Sequence, residues 1–126
     1  MPSQGRANRV AQRIKEELST LMLFDLSDPR LQGVFITHVK VDRELAFANI
    51  FVSALEGSER SEEILEGFRS AAGYIRRRLA QAIDLRSFPN LRFNWDPVPE
   101  HADKIDKLLA SLHDDDDDDK EPDQDG

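Results

Sequence analysis

Residues 70–79 read Ser70-Ala71-Ala72-Gly73-Tyr74-Ile75-Arg76-Arg77-Arg78-Leu79, and the fold is decided by what this stretch joins. Before it, Ile64, Leu65, Phe68 and Ala72 recur at helical spacing; after it, Ile75, Leu79 and Ile83 do the same. The spacing predicts two helical pieces meeting at a joint with nothing larger than a methyl at Ala71, Ala72 or Gly73. Glycine costs a helix roughly 1 kcal/mol against alanine, so a kink is expected at Gly73. Ile75 and Leu79 mark the buried stripe, so Arg76, Arg77 and Arg78 cannot all point inward. Small residues allow close backbone approach and guanidinium groups supply forked donors, which together suit a phosphate. A kinked surface helix with a solvated basic face would have the same sequence.

The elements on either side follow from periodicity. Upstream, Val10, Ile14, Leu18 and Leu21 define an amphipathic helix over about 7–23. Arg6, Arg9 and Arg13 share one flank of it, and residues 1–5 are expected to be flexible. Asp28-Pro29-Arg30 is a turn, closed by Gly33. Residues 34–41 alternate as a strand, with Phe35, Val39 and Val41 on one face and Val34, Ile36 and His38 on the other. Asp42-Arg43-Glu44 is short enough to force an antiparallel hairpin with a second strand over 45–53. There Ala46, Ala48, Ile50 and Val52 oppose Leu45, Phe47, Asn49 and Phe51. Both faces are partly apolar, which leaves aromatic surface for a partner or for packing by the termini. Ser61, followed by Glu62 and Glu63, is expected to cap the next helix. A third strand over 91–95 points Leu91, Phe93 and Trp95 one way and Arg92 and Asn94 the other. Ile105, Leu108, Leu109 and Leu112 give a last short helix over 103–112. The expected fold class is α+β: one domain of a three-stranded sheet with helices on one face.

Composition narrows the function. The chain has 126 residues and no cysteine, enough for a core without disulfides and with no thiolate chemistry. No apolar run approaches the ~20 residues of a membrane helix, and no secretory signal is recognisable, so a cytoplasmic protein is expected. The net charge of −8 is concentrated at one end. Residues 114–126 hold nine acidic side chains and one lysine, and the other 113 residues balance. Within that neutral body, residues 69–92 carry six arginines against Asp84 alone, which points to a local anionic partner. The run Asp114–Asp119 is expected to be disordered by self-repulsion. It would either solubilise the chain or fold back on the basic stretch and compete with that anionic partner.

Catalytic signatures are missing. There is no Walker loop, dinucleotide fingerprint, GxSxG or HExxH. His38 is read as a structural histidine inside its strand, and His113 beside the aspartates lacks the fixed geometry of a metal site. No enzyme activity and no cofactor are expected.

The order helix–strand–strand–helix–kink–helix–strand is similar to a type II KH domain, an RNA-binding fold that normally grips nucleotides with a Gly-x-x-Gly loop. No Gly-x-x-Gly occurs here; Ala71-Ala72-Gly73 stands at that joint, which resembles the ribosome-binding factor A family and its Ala-x-Gly interruption. The resemblance continues in Asp28-Pro29-Arg30, Val39-Lys40-Val41, Leu45-Ala46-Phe47-Ala48 and Ile50-Phe51-Val52-Ser53. It extends through Gly73-Tyr74-Ile75-Arg76, Pro89-Asn90-Leu91-Arg92-Phe93 and Ile105-Asp106-Lys107-Leu108-Leu109. It departs at Ala102, where a glycine is expected before the last helix. The resemblance implies a KH-like domain over 6–112 with an acidic tail over 113–126. It also implies a non-enzymatic assembly factor for the small (30S) ribosomal subunit, assisting late maturation and 5′-end processing of 16S rRNA, above all in the cold. A monomer is expected. The residues assigned to RNA are Arg6, Arg9, Arg13, Ala71, Ala72, Gly73, Arg76, Arg77, Arg78, Arg86 and Arg92. Two other classes stay open: a generic RNA- or protein-binding module using the strand aromatics, and a small enzyme acting through His38 or His101.

Overall fold

The computed structural model describes residues 3–119, without the side chains of residues 103, 104 and 113–119. The elements are α1 (Gln4–Phe24), β1 (Val34–Val41), β2 (Phe47–Ala54), α2 (Ser61–Ala82), β3 (Asn90–Trp95) and α3 (Val98–Asp119). Short 3-10 turns stand at Pro29–Leu31 and Ser58–Arg60. The chain divides into two compact units, at residues 96 and 97. The first holds α1 to β3, and the second holds α3.

In the first unit the sheet order is β1-β2-β3. β1 and β2 are antiparallel, as their short link requires, whereas β3 runs parallel to β2 after the α2 crossover. The stripe Ala7, Val10, Ala11, Ile14, Leu18 and Leu21 of α1 is buried, as are Ile64, Leu65, Phe68, Ile75 and Leu79 of α2. These meet Ile36, Val39, Val41, Ala48, Ile50, Val52 and Phe93 in one core. Both helices therefore cover the same face of the sheet. Phe68 stacks on Phe93 with ring centroids 4.8 Å apart, joining α2 to β3. About 25 cal/mol is gained per Å² of apolar surface removed from water, and this shared core is what holds the two layers together.

Several local expectations are corrected. α2 is one unbroken α-helix through Ala71, Ala72 and Gly73, where two pieces were expected. One glycine's helix cost is small beside the burial of Phe68, Ile75 and Leu79 on either side of it. β1 contains a bulge between Ile36 and His38. The extra residue, Thr37, shifts the alternation by one position, so Ile36 joins Val39 and Val41 in the core while Phe35, His38 and Lys40 face out. His38, read from the sequence as structural inside its strand, is exposed beside Lys40 on the face opposite Val39 and Val41. Ser61 does not cap α2, because the preceding 3-10 turn runs straight into the helix and leaves Ser61 already helical, at φ −56°. Leu45 lies outside β2, with φ 59° in the hairpin link; Asp42 Oδ1 braces that link by accepting from the amides of Ala46 and Phe47. At the N-terminus, Ser3 accepts from the Arg6 amide and caps α1, so helix begins at residue 4.

α3 begins at Val98, before the expected position 103, and runs to Asp119. Proline at the second helical position is tolerated because its missing N–H has no intrahelical partner there. Ala102 therefore lies inside a helix, where alanine is favoured. Helical backbone also continues into the aspartate run, despite like charges at i, i+4. The remainder of the expected tail, residues 120–126, lies outside the described residues.

Candidate nucleic-acid interface

The eleven residues assigned to RNA from the sequence separate into three groups. The first is structural. Arg76 donates from Nε to the Pro89 carbonyl at 3.1 Å and from its terminal nitrogen to the Phe88 carbonyl at 2.6 Å. It fastens the loop before β3, whose Phe88 and Pro89 are buried. Arg78 pairs with Asp25, and the Tyr74 hydroxyl donates to the same carboxylate at 2.6 Å. The hydroxyl and the guanidinium together hold Asp25 below the usual carboxylate range, with Tyr74 the larger cause. The same cluster raises Arg78, through Tyr74 first and the charge of Asp25 next. This clamp ties the end of α1 to the outer side of α2, at a cleft of about 360 Å³ that Phe24, Leu21 and Leu79 also line. Arg13 donates to the carbonyl of Ala82 at 3.1 Å and faces Glu17 at 3.4 Å, bridging α1 to the last turn of α2. Ala71 and Ala72 are half-buried against the core.

The second group is available. Arg6, Arg9, Arg77 and Arg86 are exposed, and their side chains make no hydrogen bond or ion pair among the described residues. Arg77 extends along α2 toward Gly73, one turn earlier; a Cβ built on Gly73 would meet only the Arg77 guanidinium, at 3.8 Å. Gly73 is itself exposed. The small-residue joint is therefore not an interruption of the helix; Gly73, unlike Ala71 and Ala72, leaves bare helical backbone there, with the Arg77 guanidinium beside it. An anion can reach both at once.

Arg92 forms the third group alone. It emerges from β3 on the face of the sheet that α1 and α2 do not cover, with its guanidinium 3.6 Å from the centroid of the Phe47 ring. Strand alternation places Arg92 opposite Phe93, as the sequence predicted, and so away from the arginines of α2. The Asp28–Arg30 pair was legible as a turn but not as an ion pair. Arg30 returns to Asp28 at 2.7 Å, which occupies it. The hydroxyl clamp at Asp25 escaped sequence reasoning, since Asp25 lies about fifty residues from its two partners. Among the described residues no group of three or more His, Cys, Asp or Glu is placed to hold a metal, and no helix is long and apolar enough to cross a membrane.

Residues 6–109 match the family model described as ribosome-binding factor A. The chain belongs to the ribosome-binding factor A family. A relative of that name from Caldanaerobacter subterraneus subsp. tengcongensis is 35% identical over 111 residues, covering 87% of this chain and 91% of the relative. The crystal structure of ribosome-binding factor A from Thermus thermophilus has the same fold, with a TM-score of 0.63 at 21% identity, over 71% of this chain and 93% of that one. A homology model of the Thermus thermophilus factor, fitted into a cryo-EM map of a 30S complex, superimposes with a TM-score of 0.58 at 23% identity; it covers 71% and 93% of the two chains. The family match spans every element from α1 to β3, so the helical basic side and the open sheet face both belong to the shared domain.

Proposed function

We propose that this protein is an assembly factor that binds the free small ribosomal subunit through 16S rRNA. It assists late maturation and 5′-end processing of that RNA, with the greatest need in the cold. In this reading the domain is a KH-like RNA-binding module, non-enzymatic, monomeric and cytoplasmic. Membership of the ribosome-binding factor A family over residues 6–109 carries it, and the Thermus thermophilus relative fitted into a 30S complex map supports the choice of subunit.

The residues that do the gripping are narrower than the sequence implied. Arg77 and Arg86, with Arg6 and Arg9, take the phosphates, because they are the assigned arginines not already engaged. Gly73 lets the sugar–phosphate backbone come close beside Arg77. Arg13, Arg76 and Arg78 support the helices that present these groups. Phosphate contacts set position and orientation more than sequence preference, and they make binding fall with salt.

Co-sedimentation with small subunits, large subunits and assembled ribosomes at low and high salt tests the proposal. Selective, salt-sensitive association with free small subunits is expected, and Arg77→Glu/Arg86→Glu should weaken it while the melting temperature stays unchanged. Equal binding to all three particles would reject subunit selectivity. Unchanged binding by the double variant would remove the α2 side from the interface.

A further inference from the structure

The open face of the sheet is laid out in rows. One row across β1, β2 and β3 is Lys40, Asn49 and Arg92; the next is His38, Phe51 and Asn94. Phe47 precedes them on β2. Lys40, His38 and Arg92 are exposed, and Phe47, Asn49, Phe51 and Asn94 are half-buried. The His38 ring lies 6.0 Å from the Phe51 ring and is tilted by 36°. Arg92 lies over Phe47, which holds the guanidinium plane flat on the sheet. The two carboxylates at the ends of this face are engaged: Asp42 accepts the two hairpin amides, and Asp96 accepts from the Thr37 hydroxyl at 2.6 Å. Between those ends the two rows hold two cations, a phenyl ring, an imidazole and two amides, with no acidic side chain; the end row toward Asp42 adds Phe47 and Asn90, and the row toward Asp96 adds Phe35 and the buried Ser53.

We infer that this face is a second RNA-binding surface, which stacks unpaired bases. The inference rests on the RNA-binding reading above and adds a separate site to it. Single-stranded RNA is the polymer whose chemistry matches every part. Bases stack on aromatic side chains and on arginine planes. Here one stacking surface is Phe51 with His38 at its side, and the other is the Arg92 guanidinium backed by Phe47. Phe47 and Phe51 stand four residues apart on one strand, about 13 Å, which is room for two separate bases. Asn49 and Asn94 offer both a donor and an acceptor to base edges. Lys40, across the sheet from Arg92, supplies charge for the connecting phosphate. The β1 bulge sets the boundary of the platform: with Val39 and Val41 in the core, His38 and Lys40 face out, and the bulge at Thr37 turns Ile36 into the core and Phe35 outward. An apolar protein partner would instead be met by a face with fewer charged and amide groups at its centre.

The test uses Phe51→Leu, which keeps apolar bulk without a π-face, and Arg92→Lys, which keeps the charge without the plane. Affinity for a labelled eight-nucleotide oligouridylate and oligoadenylate is read by fluorescence anisotropy, with melting temperatures measured alongside. Each variant should lose about tenfold in affinity, the order of one stacked base, and Arg92→Lys should do so with the salt slope unchanged. Ultraviolet cross-linking of the unmutated protein to the same oligonucleotides, mapped by mass spectrometry, gives a readout independent of variant folding. Cross-links are expected at Phe51, Phe47 or His38. Cross-links confined to α1 and α2 would overturn this proposal and leave the RNA-binding reading standing. Loss of subunit binding in either variant with oligonucleotide affinity intact would assign the face to a protein contact and also overturn it. Absence of any RNA cross-link together with no co-sedimentation would defeat both readings.

Discussion

Replacing Gly73 by alanine separates what the helix wants from what the interface wants. Gly73 sits in the interior of α2, with helical backbone on both sides and no positive φ. An added Cβ meets only the end of the Arg77 side chain, at 3.8 Å, which is ordinary contact with a movable group. No steric cost offsets the propensity gain, so Gly73→Ala should stabilise the fold by about 0.8–1.0 kcal/mol. For a body of this size that corresponds to a rise of about 4–8 °C in Tm. The same methyl would stand on the bare backbone where a phosphate is proposed to approach. Subunit affinity should therefore fall severalfold even as stability rises, which is the usual direction of a stability–function conflict at a binding site. Thermal unfolding followed by circular dichroism at 222 nm, paired with small-subunit co-sedimentation, reads both quantities on one preparation. A lower Tm would refute the structural half: the local backbone would then be one that alanine cannot adopt, as at an interruption. A higher Tm with unchanged binding would refute the functional half, leaving Gly73 as an unused weakness of the helix.

Other perturbations discriminate among the arginines and probe the core. Arg76→Ala strips two loop carbonyls of their donor and should cost about 1–3 kcal/mol in urea unfolding, whereas Arg77→Ala should stay within about 0.5 kcal/mol of the parent. Phe68→Ala removes a fully buried ring stacked on Phe93 and should cost about 3–5 kcal/mol, seen as a large fall in Tm. Acid unfolding tests the Asp25 clamp. Its folded pKa lies below the ordinary 3.8, so its stabilisation is complete above about pH 5 and is lost as pH falls through the folded value. Asp25→Asn should shallow the acid limb of a stability–pH curve without abolishing it, because Asp28 and Glu56 are lowered in the same way by Arg30 and Arg60. An acid limb identical in the variant would show that the clamp does not hold in solution.

Most of the fold was legible because apolar periodicity reports burial directly. The stripes of α1 and α2, the alternation of β2 and the outward Arg92 all follow from it. The failures have a common cause. A bulge leaves no mark in the alternation of β1 beyond one residue, Thr37, that fits neither face, so Phe35 and Ile36, which precede it, were assigned to the wrong side relative to Val39 and Val41. Ser61 looked like a cap because its own chemistry suits one, but capping is decided by the turn before it. The joint at residues 71–73 looked like an interruption because local propensity was weighed without the core contacts of Phe68 and Ile75. At the site, an arginine's availability depends on partners distant in sequence. Asp25 claims Arg78, the Pro89 and Phe88 carbonyls claim Arg76, and the Ala82 carbonyl claims Arg13, and no local pattern announces any of these.

Those claimed arginines also narrow which cations of a charge-balanced body are left to meet the proposed polyanion. Asp25, Asp28, Glu56 and Glu17 are committed to Arg78, Arg30, Arg60 and Arg13, so each pair cancels locally and screens little beyond its own contact. Among the described residues Arg6, Arg9, Arg77 and Arg86 keep guanidinium groups outside these pairs, and the sheet face adds Lys40 and Arg92; exposed carboxylates such as Glu62 and Asp84 still balance them over the body as a whole. A long-range field is weak when net charge is near zero, so encounter would gain little from steering. Binding would then depend on short-range contacts from two opposite faces of the same layer pair. The two contributions differ in kind: neutralised phosphates on the helical side release counterions, whereas stacked bases on the sheet side do not. Charge reversal at Arg77 and Arg86 should therefore flatten the dependence of subunit affinity on salt, and Phe51→Leu should lower affinity by the same factor at every salt concentration. Parallel effects of the two changes on the salt slope would mean that the faces do not act as separate surfaces.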